Sequence, residues 1–277
     1  MIIKRMAGLA LGLFGFATQA LAQSNGTVER LYVAYCGEGT AINVALWSPH
    51  VDVGKSKEFS VNCYLIKHAR GWLLYDTGLP DSTGPEPGRP FREGALRFRR
   101  TKKLADELKA INLSPADVKY VAISHIHPDH TGNVIMFSKS TFFIQKMEYD
   151  WKWIYGIGFT CIICSAIETQ PVLLEGDHDV FGDGSVKLIS TPGHSPGHQS
   201  LLVRTKNTGA ILLAGDAVHF RSNFDHRRVP AHNESTKETL DSMTKMELIL
   251  KAENAQLWIN HDGAQTDSLR KLPEYYD

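Results

Sequence analysis

Residues 124–130, Ser124-His125-Ile126-His127-Pro128-Asp129-His130, constrain this chain more than any other stretch. Three histidines and one aspartate fall within six consecutive positions, directly after an apolar run at 118–123 that reads as a buried strand. Neutral imidazole and carboxylate are ligands for Zn²⁺ and similar divalent ions. Four such groups in one turn exceed what a single tetrahedral ion takes from one segment, so the pattern calls for two adjacent ions. A polar surface cluster is the alternative, and the buried strand immediately upstream argues against it.

Other strand-like runs end in the same chemistry. Residues 186–190 lead into Thr191-Pro192-Gly193-His194, residues 210–214 into Gly215-Asp216, and residues 256–260 into His261. In α/β architectures ligands gather beyond the carboxyl ends of strands. The prolines and glycines beside these residues make sharp turns that can aim side chains into a common cleft.

These residues together resemble the metallo-β-lactamase superfamily, and within it the N-acyl homoserine lactone lactonases. The resemblance rests on the H-x-H-x-D-H motif at 125–130, on His194, Asp216 and His261, and on three supporting pieces: Asp76-Thr77-Gly78, residues 191–200 and Trp258-Ile259-Asn260-His261-Asp262. It implies one ion held by His125, His127 and His194, a second held by Asp129, His130 and His261, and Asp216 bridging both. Zinc is the first expectation, with cobalt, manganese or iron as alternatives. The implied fold is a four-layer αβ/βα sandwich; periodicity alone supports only an α/β or α+β domain. One position departs from the lactonase pattern. Where many of these enzymes carry a tyrosine three residues after the bridging aspartate, this chain has His219, whose imidazole N–H can still donate a hydrogen bond.

The implied reaction is hydrolysis of a small-molecule lactone or ester by a metal-bridging hydroxide, with an N-acyl homoserine lactone as the leading substrate and loss of a signalling molecule as the outcome. Asp129 and His219 are the candidate catalytic side chains, Asp129 passing a proton to the leaving alkoxide and His219 donating to the carbonyl oxygen. Arylesterase and organophosphate triesterase chemistry fit the same site. A redox dimetal protein fits less well, because that branch usually has a carboxylate where this chain has His127, and it adds a flavin domain. His198 is assigned a supporting hydrogen bond. His50, His68, His178, His226 and His232 read as surface or loop residues, the last two in a loop beside the cleft. The stretch from Trp151 through Trp153 and Tyr155 to Phe159 reads equally as acyl pocket or as ordinary packing.

The rest of the chain sets boundaries. Lys4-Arg5, an apolar run and Ala20-Leu21-Ala22 describe a secretory leader at 1–22, too short to span a bilayer comfortably. Residues 23–277 are then one hydrolase domain, secreted or periplasmic. Without Lys4 and Arg5, 28 basic side chains face 30 acidic ones, about −2 by the usual count, which gives no sign of a nucleic-acid surface. Export permits disulfides. Cys36 and Cys63 lie in strand-like runs and are candidates to pair; Cys161 and Cys164 have redox-motif spacing without its context, and the sequence leaves all four open, as it does a homodimer. Strands are expected at 31–35, 59–67, 72–76 and 141–145, helices at 102–111 and from Ser235, and a second β-rich half from Val172. The basic run at 97–103 reads as a solvated helix start, and Leu240, Met243, Glu247 and Leu250 trace a helix face.

Overall fold

The computed structural model describes residues 27–85, 89–91, 95–151 and 167–277. The leader at 1–22, Cys161, Cys164 and the aromatic stretch beyond Trp151 lie outside the described residues.

Alternating apolar residues build two sheets. In the first, β1 (Arg30–Ala41), β2 (Lys57–His68) and β3 (Gly71–Tyr75) form an antiparallel meander. On one side β5 (Leu96–Arg99) pairs with β1, and β4 (Arg89–Phe91) with β5. On the other side β6 (Val118–Ala122), β7 (Thr141–Gln145) and β8 (Val172–Leu174) continue in parallel from β3. The second sheet has the order β13-β12-β11-β10-β9, with β9 (His178–Asp179), β10 (Val186–Ser190), β11 (Gln199–Arg204), β12 (Ala210–Leu213) and β13 (Gln256–Trp258). Its one parallel pair is β12 with β13.

Period-2 alternation sends neighbouring side chains to opposite faces, and the cores follow it. Leu31, Val33, Tyr64, Ile66, Leu73 and Tyr75 meet Leu201, Val203, Ile211 and Leu213 between the sheets. Tyr32, Ala34, Val61, Leu65 and Leu74 face the other way, onto Leu104 and Leu108 of the helix Leu104–Lys109. Leu202 and Leu212 face Met243 and Met246 of the long helix Thr236–Glu253. Three apolar seams between helix, sheet, sheet and helix make the four layers.

Several local expectations hold with small shifts. Ser235 caps the long helix by accepting from Glu238 N–H at 3.2 Å. That helix buries Thr239, Ser242, Met243 and Met246, however, while Glu247 is exposed and pairs with Arg227 at 2.9 Å. The apolar seam is therefore rotated from the face traced in the sequence. Residues 97–99 belong to a strand rather than a helix start. Leu96 and Phe98 are buried, and Arg100 is buried against Asp81 at 3.2 Å and the Cys36 carbonyl at 3.0 Å. The Gly- and Pro-rich run at 82–90, which reads as a loop in the sequence, ends in strand β4. Val172 opens no new half: β8 is the edge of the first sheet, and the second begins at β9. Cys36 and Cys63 form a disulfide across β1 and β2. Among the described residues no helix is long and apolar enough to cross a membrane.

Candidate metal centre

The ends of β6, β10, β12 and β13 converge at one edge of the sandwich. After β6 the chain turns through His125 and His127, and Pro128 opens the short helix Pro128–Thr131 that carries Asp129 and His130. Proline suits that first helical position because its fixed φ is already helical and its missing N–H has no partner there. His194 follows β10, Asp216 follows β12 and His261 follows β13. All seven residues are buried, none more than 7% exposed.

They form two adjoining groups. His194 Nε2 lies 3.2 Å from His125 Nε2 and 3.0 Å from His127 Nδ1, and His125 Nε2 lies 2.7 Å from His127 Nδ1. In the second group, Asp129 Oδ2 lies 3.7 Å from His130 Nε2 and 3.6 Å from His261 Nε2. Asp216 lies between the groups. Its Oδ1 is 3.2 Å from His130 Nε2 and 3.1 Å from His261 Nε2, while its Oδ2 is 3.5 Å from His194 Nε2 and 3.8 Å from His125 Nε2.

The outer nitrogens of the rings are spoken for. His130 Nδ1–H donates to Asp76 Oδ2 at 2.7 Å, His261 Nδ1–H to the Ser60 carbonyl at 2.7 Å, and His194 Nδ1–H to Asn233 Oδ1 at 3.0 Å. Each bond fixes the ring with Nε2 pointing inward, where loss of the Nε2 proton would leave a lone pair for a metal. Asp76 itself takes a left-handed backbone, φ 62°, a conformation aspartate tolerates better than most residues. Its other oxygen accepts Ser124 N–H at 2.7 Å, so one carboxylate anchors the start of the motif and its last histidine. His198 has the supporting place expected of it: Nδ1–H donates to the Thr191 carbonyl at 3.0 Å and Nε2 accepts Asp216 N–H at 2.9 Å. Gly215 permits that approach. Its φ is 56°, and a Cβ there would come within 2.6 Å of His198 Nε2.

A cation pair fits this donor set. His130 Nε2 and Asp216 Oδ1 are buried, face each other at 3.2 Å and make no hydrogen bond. Two such groups left unsatisfied are costly, and a divalent ion between them removes the cost. The residues available are imidazoles and carboxylates with no thiolate, the set expected for zinc or another borderline-to-hard divalent ion.

Charge divides the two groups. Burial holds the His125 and His194 imidazoles well below the usual histidine range, so both are neutral. Burial also pushes His130 and His261 down, but Asp216 first, then Asp76 for His130 and Asp129 for both, reverse that and raise them. The Asp216 carboxyl, pushed up by burial, is pulled well below its ordinary value by His261, His130, His219 and His125. His219 lies only 3.2 Å from Asp216 Oδ2, yet burial wins there and its imidazole is lowered.

A cleft opens over these residues. It is lined by the polar groups His127, Asp129, His194, Asp216, His219 and His261 and by the apolar side chains Trp47, Phe59, Leu96 and Phe98, with the Phe59 ring 5.0 Å from His261. His219 therefore stands on the cleft wall, its ring stacked on His261 at 5.4 Å. His232 also lines the cleft, its ring 5.7 Å from His219 and 5.4 Å from Trp47. His68 is no surface residue: it is buried, stacked on Phe181, with Nε2 3.0 Å from Asp183. His50 and His226 are exposed and His178 is half-buried in β9, all three away from the cleft lining. The apolar lining went unseen in the sequence, although the alternation Leu96-Arg97-Phe98-Arg99 was its signal. Glu148, after β7, was also missed. It is fully buried, and burial pushes its carboxyl up to about 7 against three hydrogen bonds that pull it down.

A two-sheet α/β sandwich with His and Asp ligands at its strand ends defines a metal-dependent hydrolase class, and the chain belongs to the metallo-β-lactamase superfamily, whose sequence model matches residues 56–249. Among its relatives, it is 32% identical over 260 residues to the N-acyl homoserine lactonase AiiA of Bacillus thuringiensis subsp. kurstaki, covering 90% of this chain and 99% of that protein. It is likewise 32% identical over 237 residues to the N-acyl homoserine lactonase AttM of Azorhizobium caulinodans, covering 81% and 90%. A solved N-acyl homoserine lactone hydrolase with the product N-hexanoyl-L-homoserine bound at its catalytic metal center superposes with a TM-score of 0.80 at 30% identity, over 91% of this chain and 100% of that one.

Proposed function

We propose that this chain is a dimetal hydrolase that opens the lactone ring of N-acyl homoserine lactones. The observation that carries the reading is Asp216, whose Oδ1 faces His130 and whose Oδ2 faces His194 and His125, with His261 Nε2 3.1 Å from both oxygens. His125, His127 and His194 would hold one ion, Asp129, His130 and His261 the other, and Asp216 both. Zinc suits the ligands, as do cobalt, manganese and iron. Two bound ions supply a water of lowered pKa, an electrophilic contact for a carbonyl oxygen and a positive charge for the departing alkoxide.

The chain's own side chains do the rest. Trp47, Phe59, Leu96 and Phe98 offer an apolar wall for the acyl chain and keep bulk water from that part of the cleft. Asp129, which lines the cleft, would take up the proton released by the attacking water and pass it to the leaving alkoxide. His219 sets Nε2 against Asp216, and once Asp216 is committed to ions the single N–H of this neutral ring would be free to donate to the acyl oxygen. The names of the relatives and the product-bound neighbour support a lactone over another ester.

The test is a pH-stat comparison of kcat/KM for homoserine lactones of several acyl lengths, aryl esters and phosphotriesters. Lactones are expected to lead by at least tenfold. A phosphotriester or aryl ester turned over faster than every lactone would overturn the substrate assignment while leaving the metal site intact. The composition of residues 1–22 supports a further part of this reading, export with cleavage after Ala22.

A further inference from the structure

One buried carboxylate joins two of the ligand-bearing loops from behind. Glu148 lies on the short helix Lys146–Asp150 and is 0% exposed. Its Oε1 accepts the N–H of Ile126, the residue between His125 and His127, at 2.9 Å. Its Oε2 accepts Ser195 Oγ–H at 2.7 Å and Gly197 N–H at 2.9 Å, both in the loop that follows His194. The two loops belong to different sheets. Gly197 is pressed so close that a Cβ there would come within 2.2 Å of Glu148 N. Three donors converge on one side chain, a pattern that calls for a carboxylate, which accepts at both ends. Glutamine is nearly isosteric, yet either orientation of its amide turns an NH₂ toward a backbone N–H, of Ile126 or of Gly197.

We propose that Glu148 is a positioning residue that assembles the first metal subsite by holding the His125–His127 turn against the His194 loop. Resting on the dimetal reading, the inference assigns the subsites separate supports. Glu148 joins the His125–His127 turn to the His194 loop, whereas Asp76 and the Ser60 carbonyl hold the rings of His130 and His261; Asp76 reaches His125 only indirectly, through Ser124 Oγ.

The test is chelator competition on metal-loaded protein at pH 8, with metal counted by elemental analysis and the fold checked by circular dichroism. Glu148→Gln is expected to release one ion about 10- to 100-fold more readily than the parent, the usual size of an outer-partner effect, and to keep the other as tightly. Ser195→Ala, which removes one of the three donors and no backbone contact, is expected to give a smaller loosening of the same ion, and serves where Glu148→Gln folds poorly. If the parent holds two ions and both variants hold both unchanged, or lose both in parallel, the positioning role is wrong. A parent that saturates at one ion overturns the dimetal reading and this inference with it.

Discussion

Proton release should distinguish the two subsites as the metal-free protein is titrated with Zn²⁺. The first subsite contains His125 and His194, both held neutral by burial, so an ion entering there displaces no proton from either. The second contains His130 and His261, both raised by the surrounding carboxylates, so an ion entering there competes with protons over a pH range in which the first subsite is already free of them. Each displaced proton makes the binding constant change tenfold per pH unit, about 1.4 kcal/mol. Two of them give the second ion up to about 100-fold per pH unit below the raised folded values, and less above them. The sign for the metal-free fold is opposite. A raised histidine stabilises fully below its unfolded value near 6.5, and that stabilisation is lost as pH rises through the folded value. Isothermal titration in buffers of differing ionisation enthalpy counts the protons. The expected result is one weakly and one steeply pH-dependent event, with the steep event failing first as pH falls. Equal proton counts for both ions would refute the charge assignment.

Asp216→Ala should lose the paired-metal state and at least 10²-fold in kcat/KM, because it removes the one side chain shared by both groups; elemental analysis and a lactone assay check this, and retention of both ions with full turnover would show the bridge misassigned. His219→Ala should lower kcat with metal content unchanged. A lost oxyanion donor costs about 10²–10³, and sharing of that role with a cation should reduce this to about 10- to 100-fold, with partial recovery in His219→Tyr; full kcat in the alanine variant would leave His219 a cleft wall. Mass spectrometry of protein from the native envelope should find the mature chain starting near Gln23, and an intact Met1 on soluble protein would contradict export.

What could be read from the sequence was local. A buried strand followed at once by His or Asp is a signal contained in ten residues, and it located all seven groups that converge at the centre. The cap at Ser235 was equally local. What escaped depends on partners far along the chain. Leu96 and Phe98 alternate as a strand should, but the run of basic residues from Arg97 drew the reading toward a solvated helix. Arg100 departs most from that reading, being buried because Asp81 and the Cys36 carbonyl receive its guanidinium. Glu148 resembles any surface acid until loops 22 and 47 residues away supply its donors. The Cys36–Cys63 pair depends on strand register, with a β-bulge between Tyr35 and Gly37 on β1. Strand β8 pairs with the first sheet across a connection that composition alone does not decode.

The division of the centre between the sheets has a thermodynamic consequence. His125, His127, Asp129 and His130 follow β6 in the first sheet, while His194, Asp216 and His261 follow strands of the second. The contacts of about 3 Å that bring them together therefore exist only when the two sheets are packed through the seam of Leu31, Val33, Ile66, Leu201, Val203 and Ile211. Any ion bound there binds the packed state and not the separated one, so it should act as a clamp across the seam. An ion present at a hundredfold over its Kd adds about 2.7 kcal/mol to stability. For a domain of this size that raises Tm by roughly 5–10 °C per ion. Leu201→Ala, which cuts the seam without touching a ligand, should cost about 2–5 kcal/mol and be offset in large part by added Zn²⁺. Differential scanning calorimetry with and without chelator measures both effects. If chelation strips the metal and Tm does not move, the ligand set does not span the two sheets as described.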